Sequence, residues 1–499
     1  MNIIAIDLGT TNIKVSVYDK TLKPLVTLSE NVRYDRRNEI VEFNVDAYFD
    51  DIQKMVEQVA AHGKSANGGN IAQIVLTGQA ESLVLLDNAK KPLYPAISWL
   101  DMRSRKECAE LAAIFDAEQC YRITGQPEII PTWPITKMLW LNRNENAIFN
   151  RTAHYLLLKD YIIYRLCGRI LGDYSIYSFS HYFNITEKCY WKEILDYCGI
   201  RQEQLPEVLP SCSIAGELLS DWCNSDIGLT ASTKINVGTL DHFAGMIGTG
   251  NIKEGTISES AGTVLSLATL LREPLFSKAR LPLNCGPFPD SYVLLPVCES
   301  GGFSLEWYKK NFLENLSFKE INEVIAENNN HSLFPPVFLP YLTGVNAPDF
   351  NENASGVFFG INASHMKYDF ALSIMQGIAC LLRKNLDYMR DAGIEINKII
   401  SVGGGAKSAL WTQIKSDFTK QEIEIPENEE AACYGAAIIG AVSEGYFTTF
   451  ETAIEQNIKI VKKYTPAKRD DYEKTYRVFT ALYTALDGVY ALNAQSRSN

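Results

Sequence analysis

The stretch "IIAIDLGTTNIKVSVYD", Ile3 to Asp19, narrows the folds open to this chain more than any other. Ile3, Ile4, Ala5 and Ile6 form an apolar run, and Ile13, Val15 and Val17 alternate with Lys14, Ser16 and Tyr18. A period of two over β-branched residues predicts a half-buried strand, so the chain opens as strand, tight turn, strand. A dinucleotide fingerprint requires strand, glycine loop and helix, which the second strand excludes. The turn is Asp7-Leu8-Gly9-Thr10-Thr11-Asn12. Glycine tolerates positive φ, and consecutive turn amides can form an anion-binding concavity. Thr10 and Thr11 add hydroxyl donors, and Asp7 could hold a metal ion. The plainer reading of the same residues is an ordinary hairpin turn.

A similar unit recurs at "ISESAGTVLSLA", Ile257 to Ala268, where Ser260-x-Gly262-Thr263 lies over Asp7-x-Gly9-Thr10. Later in each half an apolar strand runs into a glycine loop: "IVLTGQAE" (Ile74 to Glu81) and "IISVGGGAKS" (Ile399 to Ser408). Two similar halves with a cleft between them fit this pattern. At 499 residues the chain is too long for one ordinary core. Glycines at 248, 250 and 255 mark a hinge, which places the domains at residues 1–246 and 247–499. Each half mixes strands and helices, so the expected class is α/β.

Charge and cysteine usage exclude other classes. With 47 Lys+Arg against 59 Asp+Glu the net charge is −12, unsuited to nucleic-acid binding by phosphate neutralisation. The longest apolar candidate, Ala431 to Val442, is short and interrupted by glycine, so no membrane span is expected. The first apolar run belongs to a strand and lacks a charged region before it, so no leader is expected either. Eleven dispersed cysteines without C-x-x-C spacing suggest reduced thiols and a cytoplasmic protein.

Three further segments carry chemistry. In "GGGAKSALWTQIKSDF", Gly403 to Phe418, glycines follow an apolar strand, Ser408 is a suitable N-cap, and Leu410, Ile414 and Phe418 share one helix face. Such glycines let backbone approach a flat ligand, or serve a tight strand-to-helix connection. The helical segment "EEAACYGAAIIGAV", Glu429 to Val442, is poor in bulky side chains, which suits close contact with a ligand or with a neighbouring helix. In "VGTLDHFAGMIGTG", Val237 to Gly250, Asp241 stands at a helix start whose dipole favours the carboxylate. A carboxylate there can accept a proton from a hydroxyl that attacks phosphate; the alternative is a plain N-cap.

In this order the segments resemble the FGGY family of carbohydrate kinases, over nearly the whole chain. "DLGTTNIK" and "SAGT" look like its two phosphate loops, and "GTLDHFAGMIGTG" is similar to its catalytic-aspartate segment. "PITKMLWLNRN" (Pro134 to Asn144) carries its Pro-x-x-Lys-x-x-Trp spacing, with Thr132 departing at the first position. "GVFFGINASHMKYDFALSIMQ" (Gly356 to Gln376) fits its second signature. "KDYIIYRLCG" and "GDYSIYS", within Lys159 to Ser178, match its Lys-Asp-Tyr and Asp-x-Ser runs.

The resemblance implies two ribonuclease H-like domains of the actin–hexokinase–heat-shock ATPase superfamily, with ATP and sugar meeting in the cleft. Asp241 would be the general base and Asp7 would organise Mg²⁺. Gly9, Thr10, Thr11, Lys14, Gly262, Thr263, Gly404, Gly405 and Ser408 would bind the nucleotide. Of these, Thr10, Thr11 and Thr263 would meet phosphate, and Gly404, Gly405 and Ser408 would lie near the adenosine. The acceptor would meet Gln79, Ala80, Glu81, Trp99, Asp241 and His242. Asp101 and Arg103 would be either substrate contacts or a structural ion pair. The family's glycerol kinases have Arg-Glu where this chain has Ala80-Glu81, and its xylulokinases have Met-His. Small Ala80 leaves room for an acceptor longer than glycerol. D-xylulose or another ketopentose is therefore expected, with gluconate, glycerol, tetritols and pentitols as alternatives. A non-kinase ATPase or a sugar-binding regulator is the reading from another class. The resemblance also implies that a homodimer could form.

Overall fold

The apolar run Ile3–Ile6 becomes a central strand with all four side chains fully buried. It belongs to a computed structural model that describes residues 1–497 apart from 263, 299, 314, 328–333, 347–348 and 429. A six-stranded sheet is built from β1 (Asn2–Leu8), β2 (Asn12–Tyr18), β3 (Pro24–Asn31), β4 (Ile71–Gly78), β5 (Ile214–Glu217) and β6 (Lys234–Leu240), in the order β5-β6-β4-β1-β2-β3. β2 runs antiparallel to β1, while β4 and β6 run parallel to it.

The second half repeats the plan. Its eight-stranded sheet contains β7 (Thr256–Ala261), β8 (Leu265–Leu271), β9 (Leu283–Cys285), β10 (Tyr292–Leu294), β11 (Val297–Cys298), β12 (Lys398–Val402), β13 (Ile423–Pro426) and β14 (Ile460–Tyr464). Its order is β9-β10-β8-β7-β12-β13-β14, with β11 paired to β8. β7 and β8 form an antiparallel hairpin as β1 and β2 do, and β12 is parallel to β7 as β4 is to β1. The order β10-β8-β7-β12-β13 thus reproduces β3-β2-β1-β4-β6. Two ribonuclease H-like lobes are the result, and the sequence echo marks equivalent strands in each.

Six helices matter to the site: α1 (Pro134–Asn144), α2 (Leu158–Cys167), α3 (Asp241–Gly248), α4 (Gly302–Phe312), α5 (Ala409–Thr419) and α6 (Ala431–Ser443). The small-residue segment forms α6, which packs on β1, β4 and α3. It covers the face of the first sheet that the alternation in β2 assigns to solvent. Ser16 is consequently buried and shares a 2.8 Å hydrogen bond with Thr27, and Tyr18 packs on Tyr434. The half-buried expectation for β2 holds only over its first residues.

The contact between α3 and α6 is backbone on backbone. A Cβ on Gly435 would lie 1.8 Å from the Ala244 carbonyl oxygen, and one on Gly248 would lie 2.0 Å from that of Ala431. Glycine at these positions is required by approach, not by φ. Gly→Ala inside a helix ordinarily stabilises by up to about 1 kcal/mol. Gly435→Ala is expected to do the reverse, lowering unfolding stability by about 1–3 kcal/mol through overpacking. Urea denaturation checks the sign; a gain would mean that α3 and α6 do not touch in this way.

Candidate active site

The sequence-selected residues converge at the carboxyl ends of parallel strands, where open α/β sheets present their ligand loops. Asp7 is the penultimate residue of β1, Gln79–Glu81 follow β4, and Asp241 follows β6. In the second lobe Gly262 follows β7 and Gly404–Gly405 follow β12, the equivalent strand ends. Thr263 lies outside the described residues.

The first hairpin is held rigidly. A Cβ on Gly9 would sit 2.4 Å from the Asn12 carbonyl oxygen, so the turn closes only with glycine. Gln79 donates through Nε2 to the Gly9 carbonyl (3.3 Å), and its Oε1 accepts from Ser82 (2.9 Å). Trp99 donates through Nε1 to the Thr10 hydroxyl (2.9 Å), and the Tyr34 hydroxyl donates to the Thr10 carbonyl (2.9 Å). Gln79 Nε2 and the Trp99 indole N–H are therefore both bound to the phosphate-loop candidate itself. Thr11 stays exposed at its tip. Lys14 forms an ion pair with Glu430, just before α6, so its charge bridges the two halves of the chain.

Two carboxylates dominate the electrostatics. Asp7 Oδ1 is buried without a hydrogen-bond partner. Burial, with the nearby Asp241 carboxylate, pushes the Asp7 pKa up to about 7. Asp241 is the first helical residue of α3, the cap position being Leu240, and its carboxylate accepts from the His242 amide at 2.6 Å. The plain N-cap reading is thus not what the structure shows. Two facing carboxylates with an unpartnered buried oxygen are suited to a cation, which would remove their mutual repulsion.

On the acceptor side Glu81 adopts a left-handed backbone (φ 70°) and also buries an unpartnered oxygen, Oε2. Burial raises its pKa to about 7, with Lys137 opposing. Lys137, on α1, is fully buried and donates to the carbonyls of Thr132 (2.7 Å) and Ser98 (2.9 Å). Those bonds tie together the backbone just before Trp99 and just before Trp133. Asp101 and Arg103 form a bidentate pair, with 2.8 and 2.7 Å bonds, and Arg103 also reaches Glu42 at 2.7 Å. The structural alternative holds for them. Ala80 is buried, and His242 is exposed beside Asp241.

On the opposite lobe Gly262 is exposed, and its carbonyl accepts from the Gly302 amide at 2.7 Å. That contact brings the start of α4 to the second hairpin, where Ser300 and Ser304 bury unpartnered hydroxyls. Gly403 takes φ 81°, Gly404 has open space around it, and a Cβ on Gly405 would meet Ala261 at 2.7 Å. Ser408 caps α5 by accepting from the Trp411 amide at 3.1 Å. Beneath these loops Lys415 on α5 donates to both oxygens of Glu259 on β7 at 2.9 Å, and Ser401 on β12 also donates to Glu259. Lys137 and Gly302 are the site residues that residue-by-residue reading passed over. Their signals were the Pro-x-x-Lys-x-x-Trp spacing and a glycine pair ahead of an amphipathic helix.

Two ribonuclease H-like lobes with hairpin turns and carboxylates at the ends of their central strands fit the class of two-lobed phosphotransferases. The N-terminal domain model of the FGGY family of carbohydrate kinases matches residues 2–248 and its C-terminal domain model matches 258–444, and the chain belongs to this family. A xylulose kinase of Staphylococcus epidermidis is 31% identical over 485 residues, 96% of each chain. A gluconokinase of Bacillus subtilis is 26% identical over 503 residues, covering 97% of this chain and 95% of that one. The crystal structure of xylulose kinase from Rhodospirillum rubrum superposes with a TM-score of 0.91 at 21% identity, over 98% of this chain and 100% of that one. The protein is a sugar kinase, a phosphotransferase with an alcohol group as acceptor, and the family implies ATP as donor. No helix among the described residues is long and apolar enough to cross a membrane.

The Asp7 carboxyl gives a pH test. Its native pKa is raised from 3.8 to about 7, so between those values the folded state holds a proton that the unfolded chain releases. Stability of the ligand-free protein then falls as pH rises through this window. Asp7→Asn removes that loss. The variant is expected to melt above wild type at about pH 8, with the gap closing towards about pH 4; a gap independent of pH would contradict the raised pKa.

Proposed function

We propose that this kinase transfers the γ-phosphate of ATP to a hydroxyl of a neutral ketopentose, D-xylulose first. The carrying observation is Asp241 at the positive end of α3, beside Asp7 and at the mouth of the first hairpin. In this reading Asp241 accepts the proton of the attacking sugar hydroxyl. The amides and hydroxyls of Gly9–Thr11 grip the phosphates from one lobe, Gly262 and Thr263 from the other, and Lys14 adds charge beside Asp7. Gly404, Gly405 and Ser408 border the adenosine. Asp7 would hold Mg²⁺, which when bound neutralises charge on the phosphates. Closure of a sugar-side lobe, residues 1–246, on a nucleotide-side lobe, 247–499, would keep water from competing as acceptor.

The acceptor preference rests on charge. Glu81 presents a carboxylate, which accepts from sugar hydroxyls. Arg103 is held by the Asp101 and Glu42 carboxylates, and the Lys137 charge is already set against Glu81 itself, so no cation of that cluster is left over for a second carboxylate. An anionic sugar acid would meet Glu81 without a compensating charge. Trp99 offers a ring to the carbon edge of the sugar, and Gln79, Ala80 and His242 complete the acceptor side. Gluconate is the second acceptor, because the gluconokinase relative aligns over nearly the whole chain. A cytoplasmic location and a homodimer belong to the same reading.

The test is coupled ADP release with Mg²⁺-ATP against D-xylulose, L-xylulose, D- and L-ribulose, glycerol, erythritol, xylitol and gluconate. D-xylulose is expected to give the highest kcat/KM, with gluconate far below it. A gluconate-dominated profile would overturn the charge argument. Asp241→Asn is expected to lower kcat on the order of 10²- to 10⁴-fold while ATP binding persists. Near-normal turnover in that variant would remove Asp241 as the base.

A further inference from the structure

The Lys-Asp-Tyr and Asp-x-Ser runs have no place in the machinery above, yet the structure joins them to it. Lys159 on α2 and Asp173, at the end of the short strand Leu171–Asp173, form an ion pair with neither side chain exposed. Asp173 Oδ1 accepts from the Ser175 amide at 3.0 Å, from the Ser175 hydroxyl, and from the Ser211 hydroxyl at 2.9 Å. Ser175 Oγ in turn accepts from the Leu240 amide at 2.9 Å and from the Thr239 hydroxyl at 3.0 Å. A serine hydroxyl has one proton and two lone pairs, so Ser175 is saturated and has a single orientation. Leu240 is the cap residue of α3, immediately before Asp241. All of these side chains are buried, where leaving a donor unpaired is costly.

We propose that Ser175, oriented by the Lys159–Asp173 pair, is a positioning residue for the phosphoryl acceptor step: it fixes the backbone at Leu240 and through it the Asp241 carboxylate. This rests on Asp241 being the base. The Lys159–Asp173 charges are held in place by burial, so the chain Lys159, Asp173, Ser175, Leu240 has no slack between the first lobe's core and the reacting end of α3. Removing the hydroxyl leaves the Leu240 amide without its acceptor, and the start of α3 is free to shift. Misplacement of a reacting group by about 1 Å can lower a rate on the order of 10²-fold.

Ser175→Ala is expected to lower kcat about 10- to 100-fold, with KM for sugar and for ATP within about threefold of wild type. Ser175→Thr keeps the hydroxyl and is expected to stay close to wild-type kcat. Ser211→Ala removes a bond to the same carboxylate without touching Leu240, and its kcat is expected to be unchanged. The deciding measurement is a double-mutant cycle with Asp241→Asn, followed in single turnovers. Because Ser175 acts through Asp241, adding Ser175→Ala to Asp241→Asn should cost nothing further. An equal loss in both backgrounds, or an equal loss in Ser211→Ala, would make the role structural and overturn the proposal. If Ser175→Ala does not fold, Ser175→Cys, which fills the same space but accepts only weakly, takes its place in the cycle with the same expectation. A fully active Asp241→Asn enzyme would instead defeat the reading of Asp241 itself. An inactive Asp241→Asn with an unimpaired Ser175→Ala would defeat only the positioning role.

Discussion

Everything at the cleft depends on how closely α3 can lie against α6. One helix carries Asp241; the other belongs to the second half of the chain but lies on the first sheet. Their backbones meet at Gly248 and Gly435, at distances that no side chain could occupy. The same contact covers β1 and β4, so the strand that carries Asp7 and the strand that precedes Gln79 are buried on both faces and run straight into their loops. A bulkier pair of helices would separate the sheets and carry Asp241 away from Asp7.

Each lobe then fixes its loops by the same device, a fully buried ion pair with hydroxyl partners. Lys159–Asp173 with Ser175 secures the start of α3, and Lys415–Glu259 with Ser401 secures the second hairpin, the glycine loop and α5. A buried ion pair adds little net stability over apolar packing, but breaking one strands a charge. Its effect is therefore to admit one geometry. Phosphoryl transfer asks for that above all, because positioning and charge stabilisation supply most of the catalysis. Asp7 and Glu81, whose pKa values burial raises, are the complementary case: each keeps one buried carboxylate oxygen without a hydrogen-bond partner.

Much of this was legible in the chain. The strands around Gly9 and Gly262, the helix begun by Asp241 and the cap at Ser408 all follow from local periodicity and capping chemistry, which act within a few residues. Long-range packing was not legible. Alternation in β2 pointed to a wet face because nothing near it in sequence reveals that α6, more than 400 residues away, covers Ser16 and Tyr18. Helical propensity left α6 divided between ligand and helix contact, and only the glycine-to-carbonyl approach decides for the helix. The resemblance put the Trp99 ring beside the sugar, and nothing near it in sequence reveals that its indole N–H goes to Thr10. Arg103 could not be told from a substrate contact until Asp101 and Glu42 were seen to occupy it.

The central claim is spatial: acceptor hydroxyl, Asp241 and the two hairpins meet at one point. A crystal structure with ADP, Mg²⁺ and D-xylulose tests it most directly. The account predicts one sugar hydroxyl within about 2.6–3.2 Å of an Asp241 carboxylate oxygen, in reach of a proton transfer. It also predicts the diphosphate between the Gly9–Thr11 turn and Gly262. Sugar bound with Asp241 out of hydrogen-bond reach of every hydroxyl, or nucleotide seated away from both hairpins, would contradict it.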